Sequence, residues 1–171
     1  IRMHSPCPES RTGFGDKLTE DVGKPIVVSD KWRDWLQGAD ILVEASRLKG
    51  PGPLFQTDGI NPGALLTLYG THSTVTDDLF SRIDKTVVHH SQQCQTGPFG
   101  CLRRFIEAGT VTRENRRRER GNLCAGNIPD RTSDRETILF WHRGLSIPDV
   151  AHATLRKAEN LGVGHTLPSA I

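Results

Sequence analysis

Histidine, serine, arginine and glycine recur in this sequence at one kind of place, just after a short apolar run. Ser5 follows "IRMH", Ser46 and Arg47 follow "DILVEA", and Gly70, Thr71 and His72 follow "ALLTLY". His89 and His90 close "KTVVHH", and His142, Arg143 and Gly144 follow "TILFW". A histidine so placed can carry a proton near neutral pH. Hydroxyl and guanidinium groups can hold a polar ligand. The stretch "DRTSDRETILFWHRGLS" is the most patterned: acids and bases, an apolar run, then Trp141-His142-Arg143-Gly144. Such turns either line a site or merely end strands, and the elements around them bear on which.

The apolar runs read as strands: residues 1–4, 25–29, 40–46, 64–69 and 85–90. Helical spacing lies between them. Phe14 and Leu18 mark a helix over residues 8–19, and Asp30 is placed to cap a second, with Trp32, Trp35 and Leu36 on one face. Asp77 and Asp78 read as a helix start. Two stretches beyond residue 95, "FGCLRRFIEAGT" and "TRENRRRERGNLCAG", read as helical. A last helix starts at Ser146, carries Val150, Leu155, Ala158 and Leu161 as its stripe, and ends at Gly162 or Gly164. Strands alternating with helices predict an α/β fold with a mainly parallel sheet. Such a sheet binds ligands beyond the carboxyl ends of its strands, where the turns above fall.

Other motifs are weaker. "GFGDKL" half-matches a GxGxxG phosphate loop, but a true one joins a strand to a helix, and Gly13 lies inside a helical segment. "GPGP" and "GVGH" fail the same condition. His72, His89, His90 and Cys94 fit no standard zinc spacing. "RENRRRER" has arginines but no aromatic residues to stack on bases, so it reads as a solvated helix face with internal ion pairs.

A chain of 171 residues with 35% hydrophobic content suits one ordinary domain, or one and a half small lobes. Net charge is +2, which demands no nucleic-acid partner. No apolar run approaches the roughly 20 residues of a membrane helix, and no signal peptide is visible. Cys7, Cys94, Cys101 and Cys124 lack paired spacing and read as reduced thiols of a cytoplasmic protein. The chain opens on Ile1 within a strand pattern, as a piece of a longer protein would.

Four segments together resemble the ornithine cyclodeaminase/mu-crystallin family: "GADILVEASRL", "INPGALLTLYGTHSTV", "QCQTGPFGCLRR" and "DRTSDRETILFWHRGLSIPDVA". The resemblance covers nearly all of residues 1–165, and the last segment is the most specific. It implies a Rossmann lobe binding NAD or NADP, a discontinuous substrate and dimerisation lobe, and a homodimer of the full-length protein. It implies hydride transfer at an amino-acid α-carbon through an imine. The first expectation is ornithine cyclodeamination to proline and ammonia. The alternatives are NAD(P)H-dependent reduction of a ketimine or cyclic imine, amino-acid dehydrogenation, a non-catalytic binding protein and an inactive remnant. Residues 1–125 would form a partial Rossmann domain, and 126–171 a return towards the substrate lobe.

The resemblance also assigns roles. Ser5, Ser46, Arg47, Gly70 and His142 would contact cofactor, Gly144 the substrate, and His72 would stand where cyclodeaminases place an aspartate. No metal is implied. Glu119 and Gly121 keep part of an expected Glu-Leu-Gly-Glu pattern, which Asn122 breaks. No acid ends the first strand, and Ser5 with Arg11 suits a 2′-phosphate, a lean towards NADP. The family's first Rossmann strand and its glycine loop have no counterpart in these residues. The sheet would therefore lack its first strand and expose apolar edges.

Overall fold

The computed structural model describes residues 1–46, 56–69, 76–95, 102–112, 117–142 and 146–165. β1 (Arg2–His4) leads through α1 (Pro8–Val22) to β2 (Val27–Ser29), and α2 (Trp32–Leu36) leads to β3 (Ile41–Glu44). β4 (Leu65–Leu68), α3 (Leu79–Arg82), β5 (Lys85–Val88), α4 (Ser91–Gln95) and α5 (Arg103–Glu107) follow. The chain continues through β6 (Arg117–Glu119), α6 (Arg120–Cys124), β7 (Ile138–Trp141) and α7 (Ser146–Leu161). The strands form two parallel sheets, β1-β2 and β3-β4-β7-β5-β6, so the expected α/β parallel architecture holds.

One face of the larger sheet is buried across β3, β4, β7 and β5. Leu42, Leu66, Leu139 and Thr86 form one row on it, and Glu44, Leu68, Trp141 and Val88 the next. Leu79, Phe80, Leu102 and Val111 complete this core, with the Phe80 and Phe105 rings 4.4 Å apart. On the opposite face Ile41 and Val43 are more than half and about half exposed. The side chains of a strand alternate between faces, so this asymmetry follows from covering only one of them well.

β4 is aimed by a tight turn. Ala64 N–H donates to the Asn61 carbonyl, with Pro62 and Gly63 between them and Gly63 at φ +88°. This is a type II turn, whose third position requires positive φ. The segment 130–137 docks on it: Arg131 donates to the carbonyls of Gly63 and Glu136, and Gly63 N–H donates to the Thr137 hydroxyl. Glu136 accepts from the Thr132 hydroxyl and amide and from Lys85 Nζ at 2.9 Å. Those donors, Thr132 first, hold its carboxyl down at about 2. A lowered carboxylate contributes stability above its unfolded pKa, and that contribution fades as pH falls towards 2. The unfolding midpoint of Glu136→Gln is therefore expected below wild type at pH 6, with the gap narrowing steadily as pH falls from about 4.5 towards 2. A gap independent of pH would show that this ionisation adds nothing.

Three expectations need correction. Residues 117–119 are a strand, not part of a helix, because the open edge of β5 captures them in parallel register, Thr86 opposite Arg117 and Val88 opposite Glu119. A tertiary ladder outweighs local helix preference here, and an edge strand tolerates charge. The N-cap of α2 is Lys31 rather than Asp30; the Ser29 hydroxyl accepts the Lys31 N–H and donates to Asp34. β7, expected in the return segment 126–171, is the middle strand of the larger sheet, so that sheet does not stop at residue 125. Separately from these, Leu155 and Leu161 of the expected α7 stripe are exposed.

Candidate functional site

Two places at the carboxyl ends of the strands gather polar groups. The first is a cleft of about 640 Å³ between β1 and β3, with walls that are mainly apolar. Its mouth holds Ser5, Pro6, Ala45 and Ser46, so two of the expected cofactor contacts meet at one opening. Near the mouth, the Ser5 hydroxyl accepts the Cys7 N–H at 3.4 Å, and Arg11 donates to the Ser5 carbonyl at 2.9 Å. His4 Nδ1–H donates to the Ser29 carbonyl at 3.0 Å, tying β1 to β2. On the other wall Glu44, only 4% exposed, accepts both the Ser46 N–H at 2.7 Å and the Ser46 hydroxyl. A buried carboxylate is costly unless hydrogen-bonded; the two Ser46 donors offset part of that cost and fix the turn after β3.

The second place is a row of rings. Leu68, Trp141 and Val88 are in register across β4, β7 and β5, so the residue after each strand falls in one line. Those residues are Tyr69, His142 and His89. The His142 ring lies 5.0 Å from Tyr69 and 5.3 Å from His89, edge to face in both cases. Phe140, two residues back on the same face, stands 5.6 Å from it. His142 N–H donates to the Leu68 carbonyl, and its Nδ1 is buried with no hydrogen-bond partner among the described residues. A buried polar atom left unpaired is costly, which marks this nitrogen as available to a ligand.

The structure brings Ser5 and Ser46 together and sets His142 apart, with β4 between β3 and β7. Arg47, Gly70, His72 and Gly144 lie outside the described residues. Glu44 was missed from the sequence, although an acid inside "DILVEAS" was the available signal. Asp78 is the N-cap of α3, as expected of a helix start. The Thr57 and Thr76 hydroxyls donate to its carboxylate and hold its pKa below the ordinary value. Gly13 and Gly15 sit inside α1, and a Cβ on Gly15 would stand 2.5 Å from Val28 Cγ2. That glycine lets helix and strand approach; it is not a phosphate loop. Among the described residues no cluster of three metal-binding side chains exists, and no helix is long and apolar enough to cross a membrane.

The model of the ornithine cyclodeaminase/mu-crystallin family matches residues 1–161. N-((2S)-2-amino-2-carboxyethyl)-L-glutamate dehydrogenase of Staphylococcus aureus is 28% identical over 117 residues, covering 67% of this chain and 34% of that protein. The chain superposes on Thermococcus litoralis Delta(1)-pyrroline-2-carboxylate reductase in complex with NADH and L-proline with a TM-score of 0.79 at 23% identity. That match covers 97% of this chain and 52% of the reductase. A probable ornithine cyclodeaminase of Bordetella pertussis Tohama I gives 0.76 at 23% identity, covering 96% and 53%. The chain thus spans a third of the curated relative's length and about half that of these solved structures.

Proposed function

The chain belongs to the ornithine cyclodeaminase/mu-crystallin family, and from that premise we propose that it supplies the dinucleotide-binding side of an NAD(P)H-dependent enzyme that reduces an imine to an amino acid. One observation carries this reading: the parallel sheets place Ser5 and Ser46 at a single cleft mouth at strand carboxyl ends. A cleft of this volume suits a small ligand, and its hydroxyls suit a ribose. The phosphate-binding glycine loop is not among the described residues, so the fit concerns the ribose end. When bound, the cofactor supplies the hydride. Ser46, held by Glu44, orients a ribose hydroxyl. His142 presents its Nδ1 from the next exposed strand end but one, where it can hold a proton or a polar substrate group. His72, Arg47, Gly70 and Gly144 keep the roles given them by the family resemblance.

Reduction is favoured over redox-neutral ornithine cyclodeamination because His72 stands where cyclodeaminases place an aspartate. The curated relative, too, is named a dehydrogenase. A homodimer of the complete enzyme completes the proposal. The exposed Leu155, Leu161 and Val163 at the end of the chain support a further packing surface there.

The test is titration of the chain with NADH and NADPH, read by quenching of tryptophan fluorescence; Trp32 and Trp35 line the cleft. Saturable quenching is expected, weakened about tenfold in Ser46→Ala, the equivalent of one lost hydrogen bond. No saturation with either dinucleotide sinks the reading. Consumption of NAD(P)H with a cyclic imine by the complete enzyme separates reduction from cyclodeamination, which consumes none.

A further inference from the structure

His89 and His142 are far apart in the sequence and adjacent in space. β7 lies beside β5 in parallel register, Val88 opposite Trp141, so the residues that follow the two strands meet at their carboxyl ends. Their ring centres are 5.3 Å apart and the ring planes cross at 72°. One metal ion would ask for nearly the same spacing. A zinc–imidazole bond of about 2.0–2.1 Å puts each ring centre roughly 3.2 Å from the ion, and a tetrahedral angle then sets two such centres about 5.2 Å apart. The strands already hold this distance, because a ring centre lies close to its Cβ–Cγ axis and moves little when the ring turns. The turn itself is about a broad χ2 torsion, so aiming one nitrogen of each ring at a common point costs little. One nitrogen already wants a partner. His142 Nδ1 is buried with no hydrogen-bond partner among the described residues, and a neutral imidazole nitrogen is the commonest of metal ligands. Tyr69 and Phe140 stand against the His142 ring, and Thr67 and Val87 flank Phe140 on the same face. These neighbours bring no carboxylate.

We propose that His89 and His142 form a two-imidazole chelate for a divalent first-row transition ion, one of Zn²⁺, Ni²⁺ and Cu²⁺. Imidazole nitrogen favours these ions. Mg²⁺ and Ca²⁺ ask for several oxygen ligands, carboxylates above all, and the site rejects them for want of any. Two protein ligands leave the remaining positions to water. The ion is therefore exchangeable, held in the range of about 1–100 μM and not with the far greater strength of a four-ligand structural site. A lone water between the rings is the plainer occupant. It would need two to four polar partners, and Phe140 and Val87 supply none. Sequence spacing does not announce the pair, since it exists only because β7 inserts beside β5. The inference stands on ring geometry and does not depend on the dinucleotide reading.

The probe is ZnCl₂ added to the 171-residue chain, with no dinucleotide present. Thiols are first blocked with iodoacetamide, so that the exposed Cys7 and Cys124 do not compete for the ion. The readout is the ring proton resonances of the histidines. Those of His89 and His142 are expected to shift together and to saturate at one ion per chain, while those of His152 and His165, both exposed, stay in place. The urea midpoint should rise as ZnCl₂ is added, because the ion binds the folded chain. MgCl₂ at the same concentrations should change neither. His89→Phe and His142→Phe each keep a ring in the row and remove both of its nitrogens. Each should weaken zinc binding by about tenfold or more, with a far-ultraviolet spectrum in EDTA that matches wild type. His89→Gln and His142→Gln repeat the test should a phenylalanine variant fail to fold. Three results overturn the proposal: no shift of either ring up to about 1 mM ZnCl₂, binding of unchanged strength in the variants, or a shift of one ring without the other, which would make it a solitary ligand.

Discussion

Gly63→Ala is expected to lower stability by about 3 kcal/mol or more, with a urea midpoint far below wild type. Two costs coincide at this position. Its φ of +88° is strained for any residue with a side chain. A Cβ there would also stand 2.3 Å from the Asp134 carbonyl oxygen, which is backbone and cannot rotate away. Moving that carbonyl means moving the 130–137 segment, which is pinned by Arg131 to the Gly63 carbonyl and by Thr137 to the Gly63 N–H. That segment feeds directly into β7, the middle strand of the larger sheet. Pro62→Ala is the control. It keeps the turn and loses only the entropic benefit of proline, about 1 kcal/mol at most. A Gly63→Ala variant within 0.5 kcal/mol of wild type would mean that the segment yields freely, and that the turn does not aim β4.

The apolar β-branched runs were legible in the sequence because burial in a parallel sheet demands them: "ILVE", "LLTL", "KTVV" and "ILFW" are the strands β3, β4, β5 and β7. The Asn61-Pro62-Gly63 turn is visible in the sequence, yet its docking on Arg131 was not legible, since Arg131 and Gly63 are 68 residues apart. Arg117–Glu119 was misread because its composition favours a solvated helix, and only the waiting edge of β5 makes it a strand. The site divides the same way. Ser5 and Ser46 were legible as strand ends, and their meeting at one cleft follows from the sheets being parallel. The Tyr69–His142–His89 row was not. It depends on β7 inserting between β4 and β5, a crossover that no local pattern announces. Glu44 escaped because a buried carboxylate looks, in sequence, like a surface one until its Ser46 donors are seen.

Trp141→Ala is expected to cost about 3–5 kcal/mol. The indole is fully buried on the covered face of the sheet, on its middle strand, in register with Leu68 on one side and Val88 on the other. Removing it leaves a cavity between Leu68 and Val88, whose strands the ladders hold apart. The effect should also reach the next residue. His142 is on the opposite face, held by its N–H to the Leu68 carbonyl and by ring contacts with Tyr69 and His89. Loosening the last row of β7 frees that strand end. Trp141→Phe keeps most of the apolar volume and should cost roughly half as much. The check is urea unfolding of both variants, paired with the His142 ring proton resonances at a urea-free reference condition. If stability falls while those resonances stay in place, Trp141 only fills the core. If they move towards free-imidazole positions in Trp141→Ala and hold in Trp141→Phe, the same indole that packs the core also sets the histidine. In that case the buried indole before it is what orients the imidazole after "ILFW".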